Sequence, residues 1–413
     1  HPFTDRHRLI AAQHACLEPP PASTAPAAAT AASSPPRPLL LPPPRMKTDP
    51  FYAALCTRAQ AAFEAAGLDT RQRGGLKATP QRLSYYGAVL VALAATYPAY
   101  VTGRWPAPLL FALAAWLAGA MGHDGSHFAV SAAPRLNYFA CLGMALLSSP
   151  FMWMHQHTYA HHSHTNHFGR DPDLHHFRFL RTHPLQPWRP AHAAQRWRLY
   201  VYAWYSLVVF GEALWLPLQL LLDGTISGIT SVPNAGAAAW AAQLLHLAVY
   251  LVVVVAAPVA CGGGVPAVAV FLATSGLLFG FFSQVNHLNE GSVRHTAAVA
   301  EGGGDDGDDG GGDVHIAGGF AAGGFATAAG SWAAEQVETS NNFCTASPLW
   351  TLLSNGLNFQ IEHHLFPGVN HEHLQHIQPA VRAVCREFGV AYKTFDTTGA
   401  ILAETARYYR LLA

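Results

Sequence analysis

Histidine is the residue type in this chain with the greatest capacity for chemistry. The chain contains 24 histidines, as many as its lysines and arginines together. They are grouped in HDGSH (His123 to His127), in HQHTYAHHSHTNH (residues 155–167) and in QIEHHLFP (His363 and His364). Imidazole is the commonest side-chain metal ligand. The grouping predicts a metal site assembled from separate parts of the chain.

The spacing inside the first two groups is typical of ligands on a helix. His123 and His127 are four residues apart, so both rings project from one face. His157 and His161 repeat that spacing, and the neighbouring His162 adds a ring that can reach a second metal.

The third group and one separate histidine complete the set. The i, i+3, i+4 spacing of Gln360, His363 and His364 gathers them on one side of a helix. His287, in SQVNHLNE, falls just beyond an apolar run, as His123 does. We therefore expect His287 and His123 at the same membrane depth.

These residues are too numerous for one metal ion. A tetrahedral zinc takes four ligands, whereas eight imidazoles are available, with Gln360 or water besides: His123, His127, His157, His161, His162, His287, His363 and His364. Two metals are implied. Imidazole suits zinc, copper, iron or nickel, and iron is favoured because oxidising an apolar substrate with dioxygen requires a redox metal.

Composition indicates a membrane protein. Hydrophobic residues make up 51% and charged residues 12% of the 413 residues, against about 25% charged residues in ordinary soluble proteins. The net charge is +0, so we expect no nucleic-acid partner. The six cysteines are scattered without a CxxC pair, which argues against disulfides and cysteine-based metal sites.

Six apolar runs are candidates for membrane helices, since a span needs about 20 apolar residues. They lie at about 84–102, 106–121, 138–153, 200–221, 240–260 and 265–283. If the histidine groups share one face of the membrane, an even number of spans must separate each pair of groups. The single run between the first and second histidine groups therefore does not span. Of the three runs between the second and third groups, one does not span either.

We predict that 138–153 is re-entrant or interfacial. We assign 200–221 to the interface because Glu212 lies in its middle and an arginine-rich segment precedes it. Two hairpins remain, at 84–121 and 240–283. The predicted fold is an all-α integral membrane protein with two transmembrane helical hairpins, interfacial helices and a cap of histidine boxes on the cytosolic side.

The motifs resemble those of a known family. HDGSH, the HTYAHH block continuing into GRDPDL, and NFQIEHHLFP resemble the three histidine boxes of the membrane-bound fatty acyl desaturases. Gln360 opens the last box, and this glutamine resembles the pattern of the front-end branch of the family. Enzymes of that branch insert a double bond between an existing double bond and the carboxyl group. The likeness runs from about Asp49 to the C-terminus. It implies a non-haem di-iron centre held by the eight histidines, with Gln360 as a further ligand, and O2 as co-substrate.

The resemblance also implies a substrate, a fatty acyl lipid or acyl-CoA. Within the branch, the HTYAHH and DPFY strings look more like the motifs of Δ5 or Δ4 enzymes than those of Δ6 or sphingolipid Δ8 enzymes. A related di-iron hydroxylase or lipid oxidase is an alternative. A histidine-rich metal transporter is a non-enzymatic one, although transport would place ligands inside the spanning helices.

The domain organisation follows from composition and from the resemblance. We expect residues 1–16 to be the tail of a truncated cytochrome b5-like domain, 17–45 a Pro/Ala-rich linker and 46–413 the desaturase domain, with a low-complexity loop at 301–330. Cytochrome b5 and its reductase would then donate electrons at the endoplasmic reticulum. A chloroplast membrane enzyme fed by ferredoxin is the alternative.

Overall fold

The computed structural model describes residues 49–72, 74–176, 179–232, 236–293 and 331–413. The expected domain tail at 1–16, the linker at 17–45 and the low-complexity loop at 301–330 lie outside the described residues. Helices dominate the described part, in agreement with the predicted class. The exception is two pairs of two-residue strands.

The elements follow one another with short breaks. The first part contains α1 (Pro50–Ala65), α2 (Pro80–Val101), α3 (Ala107–Ser126), α4 (Pro134–Cys141), a 3-10 turn (Leu142–Met144), α5 (Pro150–Trp153), a π-helix (Met154–His161) and α6 (His162–His164). The middle part contains 3-10 turns (Pro172–His175 and Pro190–Arg196), α7 (Arg198–Tyr205), α8 (Val208–Phe210), a π-helix (Gly211–Trp215), α9 (Leu216–Asp223), β1 (Thr225–Ile226), β2 (Thr230–Ser231), α10 (Ala237–Tyr250), a π-helix (Leu251–Ala256), α11 (Ala257–Cys261) and α12 (Gly264–Gln284). The last part contains α13 (Trp332–Glu338), β3 (Asn342–Phe343), α14 (Pro348–Leu353), a 3-10 turn (Leu357–Phe359), α15 (Gln360–Leu365), α16 (His371–Glu387), β4 (Thr394–Phe395) and α17 (Thr398–Leu411). β1 pairs antiparallel with β2, and β3 pairs parallel with β4.

The first predicted hairpin is formed by α2 and α3. Thr79 caps α2 by accepting a hydrogen bond from the backbone N–H of Arg82, and Pro80 occupies the first turn, where its missing N–H costs nothing. The rings of Tyr100 and Phe111 stack between the two helices with centroids 4.6 Å apart. Aromatic packing therefore holds the hairpin near its turn.

The second predicted hairpin is formed by α10 to α12, and its turn meets the turn of the first. Gly262 has φ +101°, a left-handed conformation suited to glycine, and Gly263 donates a backbone hydrogen bond to Val101 O at 3.0 Å. The Tyr100 hydroxyl donates to Val254 O at 2.6 Å, within the π-helical stretch of the second hairpin. The hydrogen bonds fix the two hairpins side by side.

Three helical stretches of the described residues are long and apolar enough to cross a membrane: Arg198–Asp223, Ala239–Cys261 and Gly264–Gln284. The last two form the second hairpin. The first is the stretch predicted to be interfacial, and α2 and α3 are not among the three. The chain therefore has the helices of a membrane protein, while the two-hairpin topology stays a prediction.

The apolar run at 138–153 is broken in the structure. It contains the end of α4, a 3-10 turn and the one-turn helix α5. A helix of 8 residues such as α4 is too short to span the bilayer. This agrees with the prediction that the run does not cross.

A second hydrophobic core lies in the cap, away from the hairpins. Phe51, Leu55 and Phe63 of α1 are buried against the apolar face of α16, which includes Ile377 and Val381. Asp49 caps α1 by accepting hydrogen bonds from the backbone N–H groups of the first turn. The α1–α16 pair thereby supports α15, the helix that carries the third histidine group.

Glycines allow α3 to approach the α4 segment closely. A Cβ atom on Gly122 would lie 2.3 Å from the Met144 backbone nitrogen, and one on Gly125 would lie 2.6 Å from the Cys141 backbone nitrogen. Both glycines flank His123 in sequence, so the close contact sets the position of the first histidine group.

Gly122→Ala tests this contact. We expect it to lower the free energy of unfolding by about 1–3 kcal/mol or more, because the added methyl group meets backbone that has no room to move. Thermal unfolding of the purified metal-free protein in detergent measures the effect. Gly87→Ala in α2 is the matched control, since its Cβ meets nothing within 4 Å. Equal melting temperatures for the two variants would contradict the prediction.

Candidate metal centre

All eight histidines predicted as ligands lie in one buried assembly, supplied by four parts of the fold. They come from the C-terminal end of α3, from the π-helix and α6, from the turn after α12 and from α15. Each is at most 6% exposed: His123, His127, His157, His161, His162, His287, His363 and His364. Residues up to 241 positions apart, the separation from His123 to His364, thus share one site.

Four histidines form the first group of ring nitrogens. His123, His127, His157 and His363 each offer a ligand atom, and these atoms lie within 4.8 Å of one another. The Nε2 atoms of His123 and His157 are 2.8 Å apart. Nitrogens arranged this closely are typical of ligands facing a common cation.

Three histidines, His161, His287 and His364, form the second group, again within 4.8 Å. In each ring the protein engages Nδ1. His161 Nδ1 lies 3.1 Å from both oxygens of Asp171, His287 Nδ1 donates to Thr339 O at 3.0 Å, and His364 Nδ1 donates to the Gln336 side-chain oxygen at 2.9 Å. Fixing Nδ1–H leaves Nε2 of His161 and His364 to bind a metal, the usual arrangement around protein metal sites. Nε2 of His287 accepts a hydrogen bond from the Gln360 side chain.

His162 lies between the two groups. Its Nε2 is 3.3 Å from His157 Nε2 and 3.2 Å from His363 Nε2, and its ring stacks on that of His364 with centroids 4.2 Å apart. His162 therefore joins the two groups into one centre.

Gln360 lies at the edge of the second group. Its side-chain nitrogen donates to His287 Nε2 at 2.9 Å, and its oxygen lies 3.3 Å from the Asn286 side-chain nitrogen. This contact brings Gln360 to the centre, and its role as a metal ligand stays a prediction.

The second histidine group does not lie on an α-helix. Met154–His161 is a π-helix, whose hydrogen bonds link residues five apart instead of four. The wider turn places His161 and His162 on either side of His157: the ring of His161 stacks on it at 5.2 Å, and the ring of His162 meets it edge-on at 4.9 Å. The predicted α-helical geometry was wrong here: the π-helical turn lets His157 join the first group of ring nitrogens and His161 the second.

Burial makes most of these imidazoles neutral. Desolvation, followed by repulsion from neighbouring rings, holds the pKa values of His162, His363 and His364 well below the usual value. Desolvation lowers the pKa of His157 to about 4. Neutral rings present lone pairs, which metal binding requires.

His161 differs in the direction of its pKa shift. Burial alone would lower its pKa, but Asp171 and Asp173 outweigh burial and raise it. Neither aspartate is among the residues predicted for the site, although both stand in the GRDPDL string after the second box. The sequence feature that indicates such a role is a carboxylate a few residues after a histidine box, because ligating histidines need partners for their second nitrogen.

His371, the first residue of α16, is a further buried histidine and is not among the predicted ligands. Its Nε2 lies 3.2 Å from Nδ1 of His363, and its Nδ1 donates to Asn355 O at 2.8 Å. Asp124 also faces His371 Nδ1, at 3.2 Å, and pairs with Arg82 at 3.4 Å. His371 thus orients a predicted ligand from the side opposite the centre.

Glu362 anchors α15 through hydrogen bonds to residues outside the group of imidazoles. Its two carboxylate oxygens accept from the Asn342 side-chain nitrogen at 2.7 Å and from the Tyr392 hydroxyl at 2.8 Å. Burial raises the pKa of this carboxyl to about 7, although both hydrogen bonds lower it. The anchor holds the helix that delivers His363 and His364.

An apolar pocket reaches the histidines. His123, His157, His161, His287, Gln360 and Asp173 lie on its polar side, and its apolar walls include Trp116, Met144, Leu147, Trp153, Phe279 and Phe282. Its apolar walls therefore lie next to the ring nitrogens of the candidate centre.

The donor set fits two iron ions. Two groups of imidazole nitrogens face inward, and His364 Nε2 is buried without a hydrogen-bond partner among the residues that the structure describes. An unpaired buried nitrogen is costly unless a ligand satisfies it. Imidazoles suit iron among the metals that bind nitrogen.

Comparison with known proteins agrees with the site. A family model described as fatty acid desaturase matches residues 101–396, which contain all eight histidines. The chain is 29% identical over 296 residues to the sn-1 linoleoyl-lipid 6-desaturase of Synechocystis sp., covering 70% of this chain and 74% of that protein. It is 30% identical over 303 residues to the acyl-lipid (7-3)-desaturase of Rebecca salina, covering 71% and 61%.

A third relative is the acyl-lipid (8-3)-desaturase of Physcomitrium patens, 30% identical over 284 residues, with 67% of this chain and 53% of that protein covered. The chain thus spans about half to three quarters of these relatives. No solved structure matches the chain significantly.

His363→Ala tests the ligand assignment. We expect the variant to lose bound iron and to lose activity at least about 100-fold, beyond the 10- to 100-fold typical of changes around a ligand. Metal analysis of the purified protein measures iron, and membrane fractionation checks insertion. His376→Ala is the matched control, since His376 is exposed on α16. Full activity of His363→Ala would refute the assignment.

Proposed function

The chain belongs to the fatty acid desaturase family, and we propose that it is a front-end desaturase. It inserts a cis double bond between an existing double bond and the carboxyl end of a polyunsaturated acyl chain, at the Δ5 or Δ4 position. The observation that carries the proposal is the apolar cavity, which ends at two groups of inward-facing imidazoles.

The overall reaction balances with O2 and an electron donor. Two hydrogens leave adjacent methylenes, and O2 takes up these together with two electrons and two protons to give two waters. Two bound irons would supply the activation of O2. The chain's own residues hold neutral imidazoles in place and position the methylenes beside them.

The cavity walls support an acyl substrate. Trp116, Phe279 and Phe282 are apolar and pack against one another, with the rings of Trp116 and Phe282 stacked at 5.2 Å. Such walls give a hydrocarbon chain van der Waals contact and exclude water from the oxidation site. The acyl chain can be carried by a phospholipid or by CoA.

Two sequence features support the front-end branch and its position. Gln360 opens the third box and touches His287, and the HTYAHH and DPFY strings favour Δ5 or Δ4. The relatives are named as acyl-lipid desaturases of several positions. Δ6 or Δ8 desaturation is therefore the nearest alternative.

The proposed partners follow from the electron requirement. Cytochrome b5 and cytochrome b5 reductase would deliver the electrons at the endoplasmic reticulum, and ferredoxin would do so if the enzyme resides in a chloroplast membrane. The apolar helices at Ala239–Cys261 and Gly264–Gln284 support residence in a membrane.

Expression in yeast tests the function directly. Cells with an intact cytochrome b5 system are fed long-chain polyunsaturated acids one at a time, and total fatty acids are analysed by gas chromatography. We expect a product with one added double bond nearer the carboxyl group. A hydroxylated product would favour the oxidase alternative. No product, even after fusion of a cytochrome b5 domain, would contradict the proposal.

Ser283→Phe tests the cavity as the substrate site. Ser283 lines the cavity on α12, so a phenyl ring there would displace the acyl chain. We expect activity to fall about 100-fold, since small misplacements at a reacting centre have effects of that order, while iron content stays that of the wild type. Leu277→Phe, exposed on the same helix, is the control. Unchanged activity of Ser283→Phe would place the substrate elsewhere.

A further inference from the structure

A buried carboxylate lies in the middle of an apolar helical stretch. Glu212 is 1% exposed and belongs to the π-helix Gly211–Trp215, within the stretch Arg198–Asp223, which is apolar enough to cross a membrane. Burying an acidic residue in such a stretch costs free energy unless the residue is paired, and such residues usually serve a function.

Glu212 is paired through both oxygens. Its Oε1 lies 2.7 Å from His176 Nδ1 and accepts from the Gln156 side-chain nitrogen at 3.2 Å. Its Oε2 accepts from the Ser148 hydroxyl at 3.2 Å. The carboxylate is therefore held by three side chains from three different segments.

The contacts continue from Glu212 toward the metal centre. His176 Nε2 lies 3.1 Å from Asp173 Oδ1, and the Gln156 side-chain nitrogen also donates to that oxygen at 3.1 Å. His176 thus bridges two carboxylates, one through each ring nitrogen. Gln156 repeats the bridge from the π-helix that carries His157.

Asp173 completes the connection. Its other oxygen, Oδ2, lies 3.6 Å from His157 Nδ1 and 3.5 Å from His161 Nδ1. His157 belongs to the first group of ring nitrogens and His161 to the second. One carboxylate therefore faces one predicted ligand of each metal position.

We propose that Glu212 and His176 are positioning residues that hold Asp173, and through it the rings of His157 and His161, in the orientation that binds both metals. The inference rests on the proposed di-iron function. It makes the stretch Arg198–Asp223, which contributes no metal ligand, part of the metal centre.

The two carboxylates around His176 are one more than a stabilising ion pair requires. One acid opposite His176 would compensate its charge, whereas here two acids share it and the outer one faces the ligands. Buried ion pairs are also weak stabilisers, because desolvation offsets their attraction. Orientation of ligands accounts for the second carboxylate.

The test uses the full chain loaded with ⁵⁷Fe. We expect Glu212→Gln to weaken iron binding about 10- to 100-fold, the range for residues that orient ligands, and to change the Mössbauer spectrum of the iron retained. Melting of the metal-free protein should stay close to wild type. Asp223→Asn is the matched control, since it removes a carboxylate at the end of the same stretch, where Asp223 bonds Thr225.

A second variant covers the case in which Glu212→Gln fails to fold. His176→Gln breaks the bridge from outside the apolar stretch, and we expect the same weakened binding and altered spectrum. Wild-type iron affinity and spectrum in a folded variant would overturn the inference. Loss of folded metal-free protein in both variants would also overturn it, because the residues would then serve the fold.

Failure of the proposed function has a different signature. If the wild-type chain itself binds no iron, the di-iron proposal fails. If the wild type binds iron and both variants match it, only the positioning role fails.

Discussion

The structure depends on keeping a closely packed group of buried imidazoles neutral and oriented toward the centre of the group. Burial disfavours the protonated form, and rings this close also repel one another when protonated, so pKa values such as that of His363 lie well below the usual value. Neutral rings still need orientation, which the protein supplies by engaging Nδ1 in the second group with Asp171, Thr339 and Gln336. Both requirements are met only where four segments of the chain converge.

The fold provides that convergence through contacts at a distance from the histidines. The turns of the two hairpins meet through Gly263 and Val101, and Gly122 lets α3 lie directly against the Met144 backbone. On the other side, Glu362 ties α15 to Asn342 and Tyr392. Small shifts in these contacts would move the histidines, because a close-packed interior transmits displacements.

Much of the site could be predicted from the sequence because its signal is local. The spacing of His123 and His127 and the adjacency of His363 and His364 indicated side chains that the structure brings together, and His287 joins the second group. The helical class followed from the apolar runs. Local signals of this kind can be identified in a sequence without knowledge of tertiary contacts.

What could not be predicted depends on contacts between distant segments. The π-helix at Met154–His161 arises because His157 must serve one group and His161 the other. The role of Glu212 requires knowing that it meets His176, and the buried position of His371 requires knowing that α16 packs on the centre. Whether Arg198–Asp223 lies in or on the membrane likewise depends on its packing, since its length and hydropathy permit a span.

X-ray absorption of the wild-type protein, combined with metal analysis, tests the central claim most directly. We predict two irons per chain, with nitrogen ligation and the multiple scattering of coordinated imidazole. One iron per chain, or ligation without an imidazole signature, would contradict the account.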